Sequence, residues 1–154
     1  MKKLTALLMA FVCVLTMTAC GKTEAEGFTL STLDSLEKVG AFSEELEELD
    51  ADTAFMLYRL ADYGLERTDL TDCAVLRSAG ATCEEGAVLI LKDAAAAEKA
   101  AEALSGYLEG QIESNADYRP AEIPKLEGAT LMTRSNTVLM AVANDAAAVR
   151  SVFE

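Results

Sequence analysis

The chain contains no histidine and no tryptophan, only two prolines, and half as many lysines and arginines as aspartates and glutamates, 13 against 26. Each shortage excludes something. Without histidine there is no Ser-His-Asp or Cys-His catalysis, and the commonest metal-binding side chain is missing. Cys73 and Cys83, with no histidine to join them, do not make a zinc site. Gly40 and Gly80 lack the neighbours that phosphate loops and dinucleotide folds require, and no D-x-D-x-D-G calcium loop occurs. No cofactor is therefore expected. The shortage of cations leaves a formal charge of −13, the same sign as nucleic acid and anionic lipid headgroups, so neither suits this surface as a partner. The densest acidic stretch, Glu44 to Asp52, reads as a solvated face.

What is present is clearest at the start. Lys2 and Lys3 precede an almost wholly apolar run from Leu4 to Met17, followed by the small residues Thr18, Ala19 and Gly21 around Cys20. A positive start, a short apolar core and a small-residue exit make an export signal. A helical run of about 14 residues reaches roughly 21 Å, short of a bilayer core of about 30 Å, so a spanning helix is the poorer reading. The stretch Leu15-Thr16-Met17-Thr18-Ala19-Cys20-Gly21 resembles a bacterial lipobox. In that motif the cysteine thiol receives a diacylglycerol, and cleavage before it, here between Ala19 and Cys20, leaves it as the first residue. Two acyl chains suffice for stable anchoring, at about 0.8 kcal/mol per buried methylene. The expectation is a signal peptide over residues 1–19 and a polar tether over 20–29. A single domain over 30–154 would then be held on the outer face of the cytoplasmic membrane through Cys20. Loss of Lys2 and Lys3 would leave 11 cations against 26 acids, a formal −15.

Along the mature chain, Leu30, Leu33, Leu36 and Val39 predict a short amphipathic helix with Ser31 as its cap. A second helix is expected from Asp52 to about Tyr63, ended by Gly64. Asp72–Arg77 and Gly86–Lys92 read as strands around a turn at Ser78-Ala79-Gly80. Export permits a disulfide between Cys73 and Cys83, but a symmetric hairpin would pair Cys73 with about residue 86, so the bond is left open. Asp93 should cap a long helix from Ala94 to Asn115, with Ala97, Ala101, Leu104, Leu108 and Ile112 as its apolar stripe and Gly106 and Gly110 packed close to the sheet. Tyr118 to Gly128, which holds both prolines, reads as an ordered loop. Two strands follow, Ala129–Thr133 and Thr137–Ala143, joined by a tight turn in which Asn136 tolerates positive φ. A last helix should run from Asp145 to about Phe153. The resulting fold class is α+β, a four-stranded, mainly antiparallel sheet with a long helix across one face, in the order ααββαββα.

Several of these elements together resemble a catalogued bacterial family. They are Tyr63-Gly64 before the first strand, the stretch Gly80-Ala81-Thr82-Cys83-Glu84-Glu85-Gly86-Ala87-Val88, the long helix, Tyr118-Arg119-Pro120, and the strand after Ser135-Asn136. Their order and spacing, over about Leu49 to Val152, resemble the domain of unknown function 4358, whose members are mostly small exported lipoproteins of Gram-positive bacteria. The resemblance implies location and fold class and brings no activity with it.

For function, the expectation is a non-enzymatic binding or accessory module with an unidentified protein or small-molecule partner. Glu85, Tyr118 and Arg119 are the candidates for a groove, since tyrosine offers an apolar face with a polar tip; the other reading of Tyr118 is an anchor between loop and core. A carboxylate-dependent cell-wall hydrolase is the alternative, and it would require one glutamate, such as Glu84 or Glu85, buried with a raised pKa. A small substrate-capturing lipoprotein is a third reading, weakened by a chain too short for two lobes.

Overall fold

A computed structural model describes residues 26–154. The signal peptide, Ala19, Cys20 and most of the tether lie outside the described residues. The chain runs α1 (Thr32–Lys38), β1 (Glu47–Glu48), α2 (Ala51–Leu57), β2 (Leu70–Arg77), β3 (Glu85–Leu91), α3 (Ala94–Asn115), α4 (Ile123–Glu127), β4 (Thr130–Arg134), β5 (Thr137–Val142) and α5 (Ala146–Ser151), with two short 3-10 turns between α2 and β2. One sheet holds all five strands in the order β1-β2-β3-β5-β4, and every neighbouring pair is antiparallel.

The sheet therefore has five strands, not four. The extra one, β1, lies inside the acidic run read as a solvated face. Both its residues are exposed, so it carries no apolar alternation. It pairs through its backbone with Arg77 and Leu76 at the edge of β2.

Alternation along the central strands builds a core on each side. Ala87, Leu89 and Leu91 of β3, with Val138 and Met140 of β5, face α2 and α3. Val88 of β3, with Leu139 and Ala141 of β5, faces Leu33 and Leu36 of α1 and Val149 of α5. Both faces are thus covered, by the expected long helix α3 with α2 on one and by α1 and α5 on the other. α3 has the predicted bounds, and Asp93 caps it by accepting from the Ala96 amide at 2.8 Å. Its buried stripe is almost all alanine, Ala96, Ala97, Ala100 and Ala103 with Leu104, which lets the helix lie close to the strands. Leu108 and Ile112 are only half-buried. Gly106 makes its close approach to the Tyr63 hydroxyl rather than to the sheet, and Gly110 has open space around it.

Three local expectations change. Asp50, not Asp52, caps α2, and the helix breaks at Arg59, which takes a left-handed conformation at φ 53° before a 3-10 turn ends on Gly64. The proline segment holds α4, with Pro124 in its first turn, where a missing N–H costs nothing. In the β4–β5 turn it is Ser135 that takes positive φ. Asn136 instead ties the turn to β3, donating from its side chain to the Leu91 carbonyl at 2.6 Å. Ser31 likewise makes no capping bond and pairs with the Thr29 hydroxyl at 2.9 Å.

The chain enters the fold at one end of the sheet. The Phe28 amide donates to Thr137 Oγ1 at 2.8 Å, and that hydroxyl donates to the Arg134 carbonyl at 2.7 Å. Arg134 in turn lies over the Phe28 ring, 4.8 Å from its centroid. Thr137 is 3 % exposed, so replacing it with Val leaves a buried donor and acceptor unpaired. Thr137→Val is expected to cost about 1–3 kcal/mol and lower Tm by roughly 3–10 °C in a thermal melt; an unchanged Tm would show that the entry segment is not held this way.

Candidate functional site

At the opposite end of the same strands, Arg77 of β2 stands across from Glu85 of β3, and Glu85 across from Val142 of β5. A cleft of about 400 Å³ opens there between the strand ends, the segment Ser78–Glu84, the second half of α3 and Arg119. That volume lies within the range of small-molecule pockets.

Glu85 opens β3 and Glu84 immediately precedes it, so the two carboxylates turn to opposite faces of the sheet. Glu85 turns toward α3 and is 3 % exposed. Tyr58 donates to one of its oxygens at 2.6 Å. Tyr107 and Arg77 Nε donate to the other at 2.7 and 3.0 Å. The two phenol rings pack edge to face, 5.1 Å between centroids. Burial pushes the Glu85 carboxyl above its ordinary value, against the pull of Tyr58, Tyr107 and Arg77. Burial, and then the charge of Glu85, push both tyrosines well up, so both stay protonated donors.

Glu84 turns the other way and is fully buried. The Ser43 amide and hydroxyl donate to it at 2.7 and 2.6 Å, and Lys125 Nζ at 2.8 Å. Burial alone would raise its carboxyl. The donors from Lys125 and Ser43 outweigh that and hold it below the ordinary value. Lys125 also pairs with Glu122 at 3.2 Å. Both carboxylates thus have their oxygens occupied by the protein's own donors, that of Glu85 beneath the cleft and that of Glu84 on the opposite face. Among the described residues, no buried side-chain nitrogen or oxygen lacks a partner.

The wall is different. Arg119 donates through Nη1 to the Thr82 carbonyl at 3.1 Å and touches the Cys83 sulfur at 4.0 Å. The Cys83 amide donates to Glu122 at 2.9 Å, which ties the strand approach to α4. Gln111 and Asn115, one helical turn apart on α3, also line the cleft. Burial pushes the Cys83 thiol up, although Arg119 pulls it down, so it does not carry the thiolate that nucleophilic chemistry needs. Both Cys73 and Cys83 are free. Cys73 stands opposite Leu89, six positions beyond Cys83 along the chain, too far for a bridge. Among the described residues, no group of three or more cysteines, aspartates and glutamates is placed to hold a metal ion, and no helix is long and apolar enough to cross a membrane.

Of the residues singled out from sequence, Glu85 and Arg119 meet on this cleft. Tyr118 does not join them. It is 88 % exposed, neither on the wall nor anchored in the core. Glu84, the other candidate for a raised carboxyl, is instead held low by Lys125 and Ser43, and sequence reasoning passed over Arg77, Tyr107, Gln111 and Lys125. The i, i+4, i+8 spacing of Tyr107, Gln111 and Asn115 is a polar-tipped stripe on one helix face, and it is the signal that could have found this wall.

The family model for the domain of unknown function (DUF4358) matches residues 43–143. The chain belongs to this family. No curated protein and no solved structure matches it. Every cleft residue named above lies inside the DUF4358 span, whereas α1 and α5 fall outside it.

The two adjacent glutamates of this DUF4358 domain should give opposite pH signatures. Glu84 has a lowered folded-state pKa, so its contribution is present above the unfolded value and is lost as pH falls through the folded one. Glu85 has a raised one, so its contribution is full below the unfolded value and is lost as pH rises through the folded one. In urea unfolding between pH 3 and 7, the cost of Glu84→Gln is expected to be about 1.5–3 kcal/mol at pH 7 and to shrink toward pH 3. The cost of Glu85→Gln should run the other way, larger at pH 3 than at pH 7. Parallel trends would contradict the assignment of the two environments.

Proposed function

We propose that this DUF4358 protein is a lipid-anchored extracytoplasmic binding module, held on the outer face of the cytoplasmic membrane through Cys20, with the cleft as its ligand site. The observation that carries the binding reading is that both carboxylates at this end of the sheet are buried and engaged by the protein's own donors. Glu85 accepts from three donors and Glu84 from three, at least one on each oxygen, and their side chains are 4 % and 0 % exposed, so neither presents an oxygen to a guest. A general base must reach the proton it removes, and a glycosidase pair must flank the scissile bond. Here Glu84 and Glu85 point to opposite faces of the sheet.

The lipobox around Cys20 supports the anchor, and the fold suits it. The tether joins at Phe28, beside Thr137 at one end of β5, and the cleft lies beyond Val142 at the other end. Five residue steps of strand from Glu85 to Ile90 put about 17 Å between the two ends. A domain tied down at Phe28 would present its cleft away from the bilayer, toward the wall or the medium. Replacing Cys20 with Ala should move the protein out of the membrane fraction in blots of fractionated cells. Full retention there would contradict the anchor.

One observation favours the second reading, a carboxylate-dependent wall hydrolase. Glu85 sits in a cleft with its pKa raised, as a general acid does. Turnover assays on wall glycan and wall peptides decide between them. The binding reading expects wild type and Glu85→Gln to be equally inert, and activity lost on Glu85→Gln alone would establish the hydrolase. A single sheet with one end cleft gives no support to a two-lobed capture protein.

A further inference from the structure

The Glu85 carboxylate beneath the cleft is engaged by the protein, but the two guanidinium groups on the wall still have unused donors. Arg77 uses Nε for Glu85, and the Tyr107 hydroxyl lies beside its guanidinium, leaving at least one terminal nitrogen without an acceptor among the described residues. Its side chain is 39 % exposed. Arg119 uses Nη1 for the Thr82 carbonyl, and its Nε and Nη2 have no acceptor among the described residues. Both arginines line the same cleft, and Arg119 Nη1 approaches the Cys83 sulfur at 4.0 Å. Gln111 adds a side-chain amide whose N–H groups donate to no described residue. These donors face the cleft beside the Glu47 carboxylate at its rim.

A planar guanidinium fork matches a planar carboxylate, and such charge-assisted bonds are the strong ones. Phosphate has the same affinity for arginine, but Glu47 argues against it here. Glu47 is the cross-strand neighbour of Arg77 on the cleft rim, and its carboxylate has no donor among the described residues. That charge, within a chain of formal −13, penalises a dianion far more than a singly charged group. Gln111 and Asn115 offer an amide donor and an amide acceptor next to the arginines, the complement of a peptide group.

We infer that the cleft binds a singly charged carboxylate with an amide adjacent to it, the chemistry of a peptide's free C-terminal end, with Arg77 and Arg119 on the carboxylate and Gln111 and Asn115 on the amide. This deepens the binding-module reading and rests on it, but it does not depend on the lipid anchor.

The test is calorimetric titration of the full chain in detergent with N-acetyl-glycyl-glycine, its C-terminal amide, propionate and inorganic phosphate. The free acid is expected to bind at least about 10-fold more tightly than the amide, because the loss of a charge-assisted pair costs about 1.5–3 kcal/mol. Arg119→Gln, which leaves the buried Glu85 network intact, should weaken the acid by a similar factor and leave the thermal melt within a few degrees. Propionate is expected to bind much more weakly than the dipeptide; comparable binding would overturn the role given to Gln111 and Asn115 and with it the peptide end. Equal binding of acid and amide, tighter binding of phosphate, or an unaffected Arg119→Gln would overturn the carboxylate site. A neutral oligosaccharide binding at Gln111 and Asn115 in place of all four probes would overturn the carboxylate while leaving a binding module. Turnover of a probe would overturn the module itself.

Discussion

Two adjacent glutamates at the start of β3 organise this molecule. A buried carboxylate is tolerated only when its charge and lone pairs are met, and removing one partner of such a pair costs about 3–5 kcal/mol. Glu85 therefore fixes where Tyr58, Tyr107 and Arg77 must stand, which docks the end of α2 and the middle of α3 on one face of the sheet. Glu84 does the same for Ser43 and Lys125, which ties the segment after α1 and the short α4 to the other side. Because successive strand residues point opposite ways, one dipeptide clamps both layers. The hydrophobic cores supply the bulk of the stabilisation, and the glutamates decide how the layers are placed at this end.

That arrangement also explains why the cleft has the character it does. Meeting the charge of Glu85 draws Arg77 to the strand end, and the wall that results is rich in donors although the chain as a whole is strongly acidic. Arg119 reaches the same place by a different route, through a carbonyl of the segment entering β3. The charge of Glu85 is met by Tyr58, Tyr107 and Arg77, and that of Glu84 by Ser43 and Lys125. What faces a guest is the unused donors of two guanidinium groups, with Glu47 at the rim.

Much of the fold was legible, and the failures have identifiable causes. α3 was readable to the residue, because an aspartate cap, an alanine-rich run and a polar end all agree. β3 and β5 were readable from apolar runs too short for helices. β1 was not, because an edge strand held only by backbone bonds needs no side-chain pattern, and Glu47 and Glu48 have none. α4 was hidden by its prolines, which signal a loop except at a first turn. The break at Arg59 carries no local signal, since arginine has no preference for positive φ. At the site, Glu85 and Arg119 could be suspected one by one. Arg77 and Arg119 stand 42 positions apart, and only the fold brings them to one wall. Tyr118 was suspected because an aromatic beside Arg-Pro attracts attention, yet its neighbour faces the cleft while it faces water.

The central claim is that the two glutamates occupy opposite electrostatic environments and that both are consumed by the protein itself. Carboxyl-carbon NMR titration of the labelled chain, with and without a bound guest, measures this most directly. The account predicts that Glu84 stays ionised to below the ordinary carboxylate range, that Glu85 takes up its proton above it, and that neither resonance moves much when the cleft is filled. A Glu85 that titrates as an ordinary exposed carboxylate, or one whose pKa shifts by a unit or more on binding, would contradict it and return Glu85 to the chemistry of the site.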